Sequence, residues 1–356
     1  LRSSWGQAGN LTALTQLDRL SLFNPIAING NSGLVPRRRL GNENVAPERQ
    51  EEFEVGFDAG FLDNRLGVEF TYYNQNISDL LVERELSPST GFLSRFENVG
   101  NLENKGIEIL LKATPFKSKD FSWDLTTTFS TNDNEVTNVP GDRIGLAGSF
   151  SSSFVIEGQP LGVFFRSFYN RDDSGNIILD DEGLPTAGVA EDGGNAIVIG
   201  DPNPEWFGSL INEFAYKNFK LRIQLDAVQG FDILNFNRRL MDNDLFGGGF
   251  NVGQELLGNR PKGLGGRQAG IFEEFVEDGS FVKLREVGLS YTFYPKNSFI
   301  SNVEINLVGR NLISWDDYSG FDPEVTTSGQ SNGVRGFDFA SVPIPRTYQL
   351  GFNLSF

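Results

Sequence analysis

An acidic stretch in the middle of the chain carries the residues best suited to hold a metal ion. The sequence Asp172-Asp173-Ser174-Gly175-Asn176 is followed by Asp180-Asp181, and side-chain oxygens at alternate positions suit Ca²⁺, which prefers hard oxygen ligands. Counted from Asp172, however, the sixth position is Ile177 instead of glycine and the twelfth is Gly183 instead of glutamate. The pattern favours an ordinary acidic turn and leaves open a calcium site with the ligands Asp172, Ser174, Asn176 and Asp180.

Other catalytic chemistry is restricted by two residue types that the sequence lacks. The 356 residues contain no histidine and no cysteine, which excludes a Ser-His-Asp triad, a Cys-His nucleophile, a conventional zinc or haem site and any disulfide within them. The acidic pair Glu273-Glu274 does not fit a glycosidase, because adjacent carboxylates in an exposed segment do not face each other across a sugar bond. We predict no catalytic residue, no enzymatic activity and no cofactor besides the calcium ion considered above.

The charge balance bears on the class of partner. The sequence has 30 Lys and Arg residues against 47 Asp and Glu residues, a net charge of -17, whereas phosphate binding draws on clustered basic side chains. The basic cluster Arg37-Arg38-Arg39 is interpreted as part of a solvated loop. We therefore predict that nucleic acid is not a partner.

Several aromatic side chains fall within a long segment that shows no sustained strand pattern. Such rings stack on sugars or cradle a peptide, and they also pack loops together. The candidates for substrate binding are Phe150, Phe154, Phe164, Phe165, Phe168 and Tyr169. Packing of the loop is the favoured interpretation, and contact with a ligand is the alternative.

The elements that would position these side chains are predicted from alternation of apolar and polar residues. The clearest example is the final segment, YQLGFNLSF, whose apolar positions share one face: Tyr348, Leu350, Phe352, Leu354 and Phe356. This two-residue period recurs along the chain while a 3.6-residue period is almost absent, which predicts strands and not helices. A phase shift between Leu284 and Val287 predicts a β-bulge in one strand.

About ten strands are predicted, joined by connections that alternate between short and long. The long ones cover approximately 8–49, 83–105, 134–203, 235–279 and 313–343. All short turns then lie at one end of an antiparallel sheet and all long loops at the other, as in outer-membrane barrels. A soluble β-sandwich is the alternative, but its loops are rarely so long on one side only. The pattern favours an all-β fold, an antiparallel transmembrane β-barrel with long extracellular loops and short periplasmic turns.

Seven segments follow one another along nearly the whole chain: LRSSWGQAGN, PERQEEFEVGFDAGFLDNRLGVEFTYYNQNISDLL, ENVGNLENKGIEILLKATPF, IGDPNPEWFGSLINEFAYKNFKL, EDGSFVKLREVGLSYTF, GRNLISWDDYSGFDPEV and RGFDFASVPIPRTYQLGFNLSF. In this order they resemble the C-terminal half of SusC/RagA-type TonB-dependent outer-membrane transporters. The resemblance implies a barrel of about 22 strands around a plug, of which this chain would supply about ten. Residues 1–356 are expected to form a partial barrel domain that begins near the thirteenth strand, with the N-terminal plug and the first strands absent.

The resemblance also implies a function and a set of partners. Members of this family import oligosaccharides or peptides through the outer membrane of Gram-negative bacteria, here one of the Bacteroidota. A SusD-like lipoprotein caps the barrel, TonB-ExbB-ExbD acts through the N-terminal part, and the final strand, ending at Phe356, contacts outer-membrane lipid and presents a signal to the barrel-assembly machinery.

Two alternatives from other classes stay open at this point. A passive outer-membrane pore or small closed barrel would conduct ions unaided. A secreted carbohydrate-binding β module would stay soluble without detergent, which the aromatic faces of the strands argue against.

Overall fold

Ten long antiparallel strands form one continuous sheet in the computed structural model, which describes residues 1–10, 14–141, 143–242, 250–296, 299–329, 331 and 333–356. Each strand pairs with the next one in the chain, so the sheet is an up-and-down meander. The strands are β1 (Arg2–Asn10), β2 (Glu48–Phe61), β3 (Leu66–Ser78), β4 (Asn101–Lys117), β5 (Phe121–Thr131), β6 (Trp206–Tyr216), β7 (Phe219–Gln229), β8 (Phe281–Phe293), β9 (Asn302–Asp316) and β10 (Thr347–Ser355). The predicted ten-stranded antiparallel wall is confirmed, and it is an open part of a barrel, with β1 and β10 as its edges.

The two faces of this wall have the reverse of the polarity that a soluble protein shows. In β2, the apolar side chains of Phe53, Val55 and Phe57 are 46%, 41% and 39% exposed, while Glu52 and Glu54 on the other face are half-buried. Aromatic rings pair across neighbouring strands on the outer face, as in Phe57 on Phe70 with ring centroids 5.6 Å apart. An apolar exterior against a polar interior is the arrangement of a transmembrane barrel.

Short turns join the strands at one end of the wall, as the sequence predicts. The turn between β2 and β3 places Leu62, Asp63 and Asn64 in the left-handed region, with φ of 55°, 56° and 62°. Asn and Asp tolerate this conformation because their short polar side chains bond locally. In the turn between β6 and β7, Lys217 has φ of 50° and the pair Tyr216 and Phe219 closes the ladder.

The β-bulge predicted in β8 is confirmed. The pairing of β8 with β9 shifts register between Leu284 and Glu286, and the pairing with β7 shifts at the same place, between Gln224 and Leu225 on the β7 side. Lys283 and the extra residue, Arg285, both contact Glu324 of the connection that follows β9.

The long connections span residues 11–47, 79–100, 132–205, 230–280 and 317–346, and they contain short elements of their own. Short strands are Phe23–Ile28, Asn31–Pro36, Leu81–Glu85, Ser94–Asn98, Asp133–Thr137, Arg143–Gly145, Ser153–Ile156, Val163–Arg166, Ile197–Gly200, Asp232–Asn235, Val276–Asp278 and Phe337–Asp338. The helices are α1 (Phe236–Asp242), α2 (Phe250–Leu256) and α3 (Leu264–Ala269), with 3₁₀ turns at Pro88–Thr90 and Phe272–Phe275. These helices were not predicted, because six or seven residues are too few to establish a helical period. None of the helices in the described ranges has the length and apolar composition to cross a membrane.

The connections pack against one another and form the main hydrophobic core. Its buried side chains come from four of the five connections and from the wall next to them: Leu80, Val82, Val99, Leu102, Val136, Ile144, Leu146, Val155, Leu161, Phe164, Leu234, Phe236, Phe272, Phe275, Val334 and Phe337. We call this assembly of connections the loop layer. Burying these side chains gives the loop layer a defined structure, because each large apolar side chain removed from water contributes about 1.5–3 kcal/mol.

The close approach of β3, β4 and β5 depends on a glycine. Gly106 lies opposite Tyr73, and a Cβ at Gly106 would be 2.1 Å from the Thr131 carbonyl oxygen and 2.6 Å from the Tyr73 hydroxyl. We expect Gly106→Ala to lower the free energy of unfolding by about 1–3 kcal/mol through overpacking. Gly67→Ala is the matched control, since its Cβ would meet nothing closer than 3.9 Å. Equal unfolding temperatures of the two variants in detergent would contradict this explanation.

Candidate functional site

A polar cavity of about 810 Å³ lies between the inner face of the wall and the loop layer. Strands β2 to β5 provide most of one side, and the connections 79–100, 132–205 and 317–346 provide most of the other. Most of its polar lining consists of amide, hydroxyl and carboxylate side chains: Asn10, Glu48, Gln50, Tyr73, Gln75, Asn104, Glu108, Ser130, Thr131, Asn132, Asn134 and Asn203. Such groups offer both donors and acceptors to a polar ligand.

Tyr73 is held in the cavity wall by a fixed set of hydrogen bonds. Its hydroxyl donates to the carbonyl oxygen of Thr131 at 3.1 Å and accepts from the amide of Asn132 at 3.0 Å. The space over Gly106 makes this position of the ring possible. The ring of Tyr73 is thereby fixed against the wall in a defined orientation.

A chain of amide and carboxylate groups crosses the strands next to Tyr73. Asn104 donates to the side-chain oxygen of Gln75 at 3.1 Å, and Gln75 donates to Glu52 at 2.6 Å. Glu52 also accepts from Gln50 at 3.2 Å. Cross-strand pairs of this kind orient polar groups along the inner face and keep it hydrated.

The six predicted aromatic residues do not share one site. Phe164 is fully buried in the core and Tyr169 is only 4% exposed, so packing, and not ligand contact, is the role of these two. Phe154 packs edge-on against Phe165 at 5.5 Å, and the ring of Phe168 lies over Gly188. Phe150 differs, because it is 54% exposed.

The acidic pair Glu273-Glu274 fastens the connections 132–205 and 230–280 to each other. Glu273 accepts from the backbone N–H of Tyr169 at 2.7 Å and pairs with Arg171, and Glu274 accepts from the Tyr169 hydroxyl at 2.6 Å. Burial, and then the bond to Glu274, raise the pKa of Tyr169. The neutral phenol is therefore maintained as a donor, which is a structural role for these carboxylates.

The acidic stretch folds into two equivalent tight turns. Asp172 accepts from the backbone N–H groups of Ser174 and Asn176, both at 2.9 Å. The side-chain amide of Asn176, and then these backbone bonds, lower the pKa of Asp172. Asp180 caps the next turn in the same way, and its other oxygen pairs with Arg267 at 2.9 Å. Within the described ranges no three acidic side chains gather as metal ligands, and the calcium site at Asp172, Ser174, Asn176 and Asp180 stays a prediction.

The final strand presents its predicted apolar face outward. Tyr348, Leu350, Phe352, Leu354 and Phe356 are 71%, 61%, 62%, 51% and 77% exposed. Leu350 and Phe352 lie beside Leu307 and Ile305 of β9, and the ring of Phe356 stacks on Phe299 at 5.7 Å. Lipid contact and recognition by the assembly machinery stay predictions for this face.

The connection 317–346 is tied to the wall by buried charges. Lys283, whose side chain is 5% exposed, contacts Asp322 at 2.5 Å and Glu324 at 2.9 Å. Arg285 forms two hydrogen bonds with Glu324, at 2.9 and 3.0 Å, and contacts Asp226 at 2.7 Å. The connection is held at this point by charge-assisted bonds, which are stronger than neutral ones.

We call the contacts of Lys283 and Arg285 with Asp322 and Glu324 the tie, and it predicts that attachment of the connection 317–346 depends on pH. Burial alone would raise the pKa of Asp322, but the bond from Lys283 and the N–H groups of Glu324 and Ile344 outweigh it and hold the pKa below its ordinary 3.8. A depressed carboxyl pKa stabilises the fold above the unfolded-state value, and the contribution is lost as pH falls through the folded-state value. A spin label at Val342→Cys should gain mobility only below pH 3.8. Loosening centred near neutral pH would contradict this assignment.

The cavity and the tie were not predicted from the sequence. Their residues lie far apart along the chain, from Asn10 to Val334 for the cavity. The sequence does contain a weak indication of a polar inner surface. Alternating positions of β3 and β4 carry Gln, Asn and Glu on the face opposite the apolar one. Alternation shows which residues face inward, but it does not show which strands and loops enclose a space.

Comparison with known proteins gives the same architecture. A family model described as "TonB dependent receptor-like, beta-barrel" matches residues 1–190. TonB-dependent receptor P3 of Formosa agariphila is 28% identical over 402 aligned residues, covering 100% of this chain and 39% of that protein. TonB-dependent receptor SusC of Bacteroides thetaiotaomicron is 26% identical over 393 residues, covering 100% and 37%. The chain thus spans about two fifths of the length of these relatives.

Solved structures of the RagAB transporter have a similar fold. One, described as the RagAB peptide transporter, matches with a TM-score of 0.74 at 23% identity, covering 100% of this chain and 40% of that one. Another, of the RagAB peptide importer in its closed-closed state, matches with a TM-score of 0.76 at 23% identity, covering 99% and 40%. At this level of identity the match concerns the fold.

Proposed function

The chain belongs to the TonB dependent receptor-like β-barrel family, and from that premise we propose that it is the barrel part of an active importer in the outer membrane of a Gram-negative bacterium. The SusC/RagA-type resemblance predicted from the sequence is confirmed, since SusC aligns with the whole chain. In this proposal residues 1–356 are part of one barrel domain, and a plug and further strands belong to the same protein.

The polar cavity between the wall and the loop layer is the observation that carries the proposal. It is lined by amides and hydroxyls whose orientation is fixed by hydrogen bonds, as at Tyr73 and Gln75. Oligosaccharides and peptides are rich in hydroxyl and amide groups, so their polar surface matches this lining. We infer that ligands of these two classes pass through or bind in the cavity.

Partners follow from the same family membership. A SusD-like lipoprotein would close the extracellular side by contacting the loop layer, and TonB-ExbB-ExbD would act through residues upstream of this chain. The RagAB structures are described as those of a peptide importer, which supports peptides as a ligand class beside oligosaccharides. The rigid loop layer supports this arrangement, because a packed surface offers a partner a fixed shape.

Uptake by cells that carry the full-length protein tests the proposal. Asn104 lines the cavity, and Asn104→Trp should reduce uptake of labelled oligosaccharides or peptides without loss of barrel assembly. Ile109→Trp is the matched control, because Ile109 lies on the same strand but on the apolar outer face. Uptake should also stop when the tonB gene is deleted, and the lipoprotein should copurify with the tagged transporter.

The passive pore is the alternative that this experiment separates. A pore would keep its uptake after tonB deletion and would conduct ions in a planar bilayer without a partner. Either result would overturn active import while leaving the barrel fold intact. Equal uptake by the Asn104→Trp and Ile109→Trp variants would instead remove the cavity from the transport path.

A further inference from the structure

Two arginines of the loop layer lie against one aromatic ring. The guanidinium of Arg166 is 4.5 Å from the centroid of the Phe272 ring, and that of Arg239 is 4.1 Å from it. Arg166 ends the short strand Val163–Arg166, and Arg239 lies in α1. Two distant segments therefore bring like charges together on a chain whose net charge is -17.

Neither of these arginines is paired with a carboxylate of the described residues. By contrast the neighbouring Arg238 contacts Glu274 at 2.5 Å and Glu277 at 3.1 Å. Burial lowers the pKa of Arg166, and the nearby carboxylate of Glu85 offsets only part of this effect. Burial also lowers the pKa of Arg239, and the charge of Arg166 adds to it. Like charges that are both partly buried repel each other, and an anion placed near them removes that repulsion.

Few N–H groups of these two guanidinium groups are bonded to acceptors of the described residues. Arg166 donates to the Ser152 hydroxyl at 3.4 Å and to the carbonyl oxygen of Phe150. The Nε of Arg239 is buried and has no acceptor among the described residues. A guanidinium offers five N–H groups in a planar fork that matches the oxygens of a carboxylate or a sulfate.

Phe150 lies next to this pair and exposes its ring. It stacks on Phe236 at 5.1 Å, and Arg239 lies over the same Phe236 ring at 5.1 Å. Phe150 has φ of 48°, which is uncommon for a bulky side chain, and it is 54% exposed. Residues held in such a conformation cluster at sites where ligands bind.

A groove of about 690 Å³ continues from Phe150 towards the basic cluster. Its lining includes the three arginines Arg37, Arg38 and Arg39, the two carboxylates of Glu83 and Glu85, and Phe150. Arg39 pairs with Asp18 and Glu83, whereas the side chains of Arg37 and Arg38 form no ion pair with the described residues. Three arginines against two carboxylates leave this groove with one excess positive charge beside the arginine pair.

We propose that Arg166, Arg239, Phe272 and Phe150 form a binding site for an oligosaccharide that carries sulfate or carboxylate groups. Arg166 and Arg239 bind the acidic group, and Phe150 stacks under a sugar ring. The groove at Arg37 and Arg38 accepts the next acidic unit of the chain. The exposed ring of Phe150 favours a sugar over an acidic peptide, because a sugar offers a ring face that stacks on it while its acidic group binds the arginines. This inference rests on the proposed import function.

Binding of dextran sulfate to the purified full-length transporter tests the site. We expect dextran sulfate to bind, with affinity that falls as salt is raised, and uncharged dextran of equal length to bind at least tenfold more weakly. Arg239→Gln should weaken binding of dextran sulfate about tenfold, because charge-assisted bonds are lost. Arg239→Lys keeps the charge but not the planar guanidinium, so its affinity for dextran sulfate should lie between those of the wild type and Arg239→Gln. This intermediate affinity would also show that the loss in Arg239→Gln does not come from misfolding.

Arg238→Gln is the matched control, since Arg238 is adjacent in α1 but has carboxylate partners. Its affinity should stay within about twofold of the wild type. Equal loss in the Arg238 and Arg239 variants, or equal binding of dextran and dextran sulfate, would overturn the site. Equally tight binding of polyglutamate would overturn the choice of a sugar. Import of neutral ligands that continues in the Arg239→Gln variant would show that the import function stands even where the anion site fails.

Discussion

Lys283→Met is expected to release the connection 317–346 from the wall. Lys283 is the buried cation between Asp322 and Glu324, with side-chain exposures of 5%, 9% and 31%. Removing one member of a buried ion pair leaves an uncompensated charge and costs about 3–5 kcal/mol. Because Arg285 still binds Glu324, we expect a loss of about 3 kcal/mol, concentrated in this connection.

Proteolysis of the full-length protein in detergent measures this effect. Cleavage between residues 317 and 346 should become roughly a hundredfold faster in Lys283→Met, if cleavage follows local opening. Arg2→Met is the matched control, because Arg2 and Asp58 form an ion pair whose side chains are 47% and 58% exposed. Exposed pairs contribute about 0–1 kcal/mol, so this variant should be cleaved at the wild-type rate.

A double variant separates charge from packing. In Lys283→Met with Asp322→Leu both charges of the closest pair are removed, and apolar replacements of buried pairs are often neutral or stabilising. We expect this variant to recover much of the protection that the single one loses. If the double variant is cleaved as fast as Lys283→Met, then lost packing and not an unpaired charge is the cause.

The wall could be predicted from the sequence because its determinants are local. Successive side chains of a strand point to opposite faces of the sheet. The alternation in YQLGFNLSF therefore shows which of its side chains share the apolar face. The bulge at Leu284 and Glu286 was visible for the same reason, as a break in that period. Residue types that favour turns, such as Asp63 and Asn64, separate β2 from β3.

The loop layer could not be predicted because its contacts are distant in sequence. Phe150 and Phe164 are both aromatic residues of one connection, yet one is 54% exposed and the other is fully buried. Even the exposed Phe150 stacks on Phe236 and Phe337, which lie in two other connections, so the surroundings of each ring are set by residues far away in the sequence. A two-residue or 3.6-residue period contains no information about such partners.

The acidic turns show how one pattern supports two interpretations. Asp172 and Asp180 each precede a glycine by three residues, and Gly175 and Gly183 have φ of 83° and 75°. Carboxylates that cap such turns and carboxylates that ligate calcium share the same sequence pattern, because both present oxygens to a bent backbone. The capping role is identified by hydrogen bonds from backbone N–H groups to these carboxylates, and these bonds are visible only in the three-dimensional structure.

Phe352→Arg is expected to impair assembly of the barrel into a membrane. Phe352 is 62% exposed and lies near the middle of β10, opposite Ile305. A charged side chain facing lipid near the bilayer midplane costs about 2–4 kcal/mol in transmembrane barrels, and the cost falls towards the interfaces. An arginine at this position has no short path to water, so we expect less folded protein in the outer membrane and a lower unfolding temperature.

The adjacent residue supplies the control for this prediction. Asn353 points to the other face of the same strand, where its amide donates to Glu304 at 3.1 Å. Asn353→Arg places the same charge beside that carboxylate in a hydrated lumen, and we expect almost wild-type assembly. The fraction of folded barrel is measured from its heat-modifiable mobility in membrane extracts. Equal impairment by the two variants would mean that β10 tolerates no added bulk on either face, and the outward orientation of Phe352 would lose its support as a lipid contact.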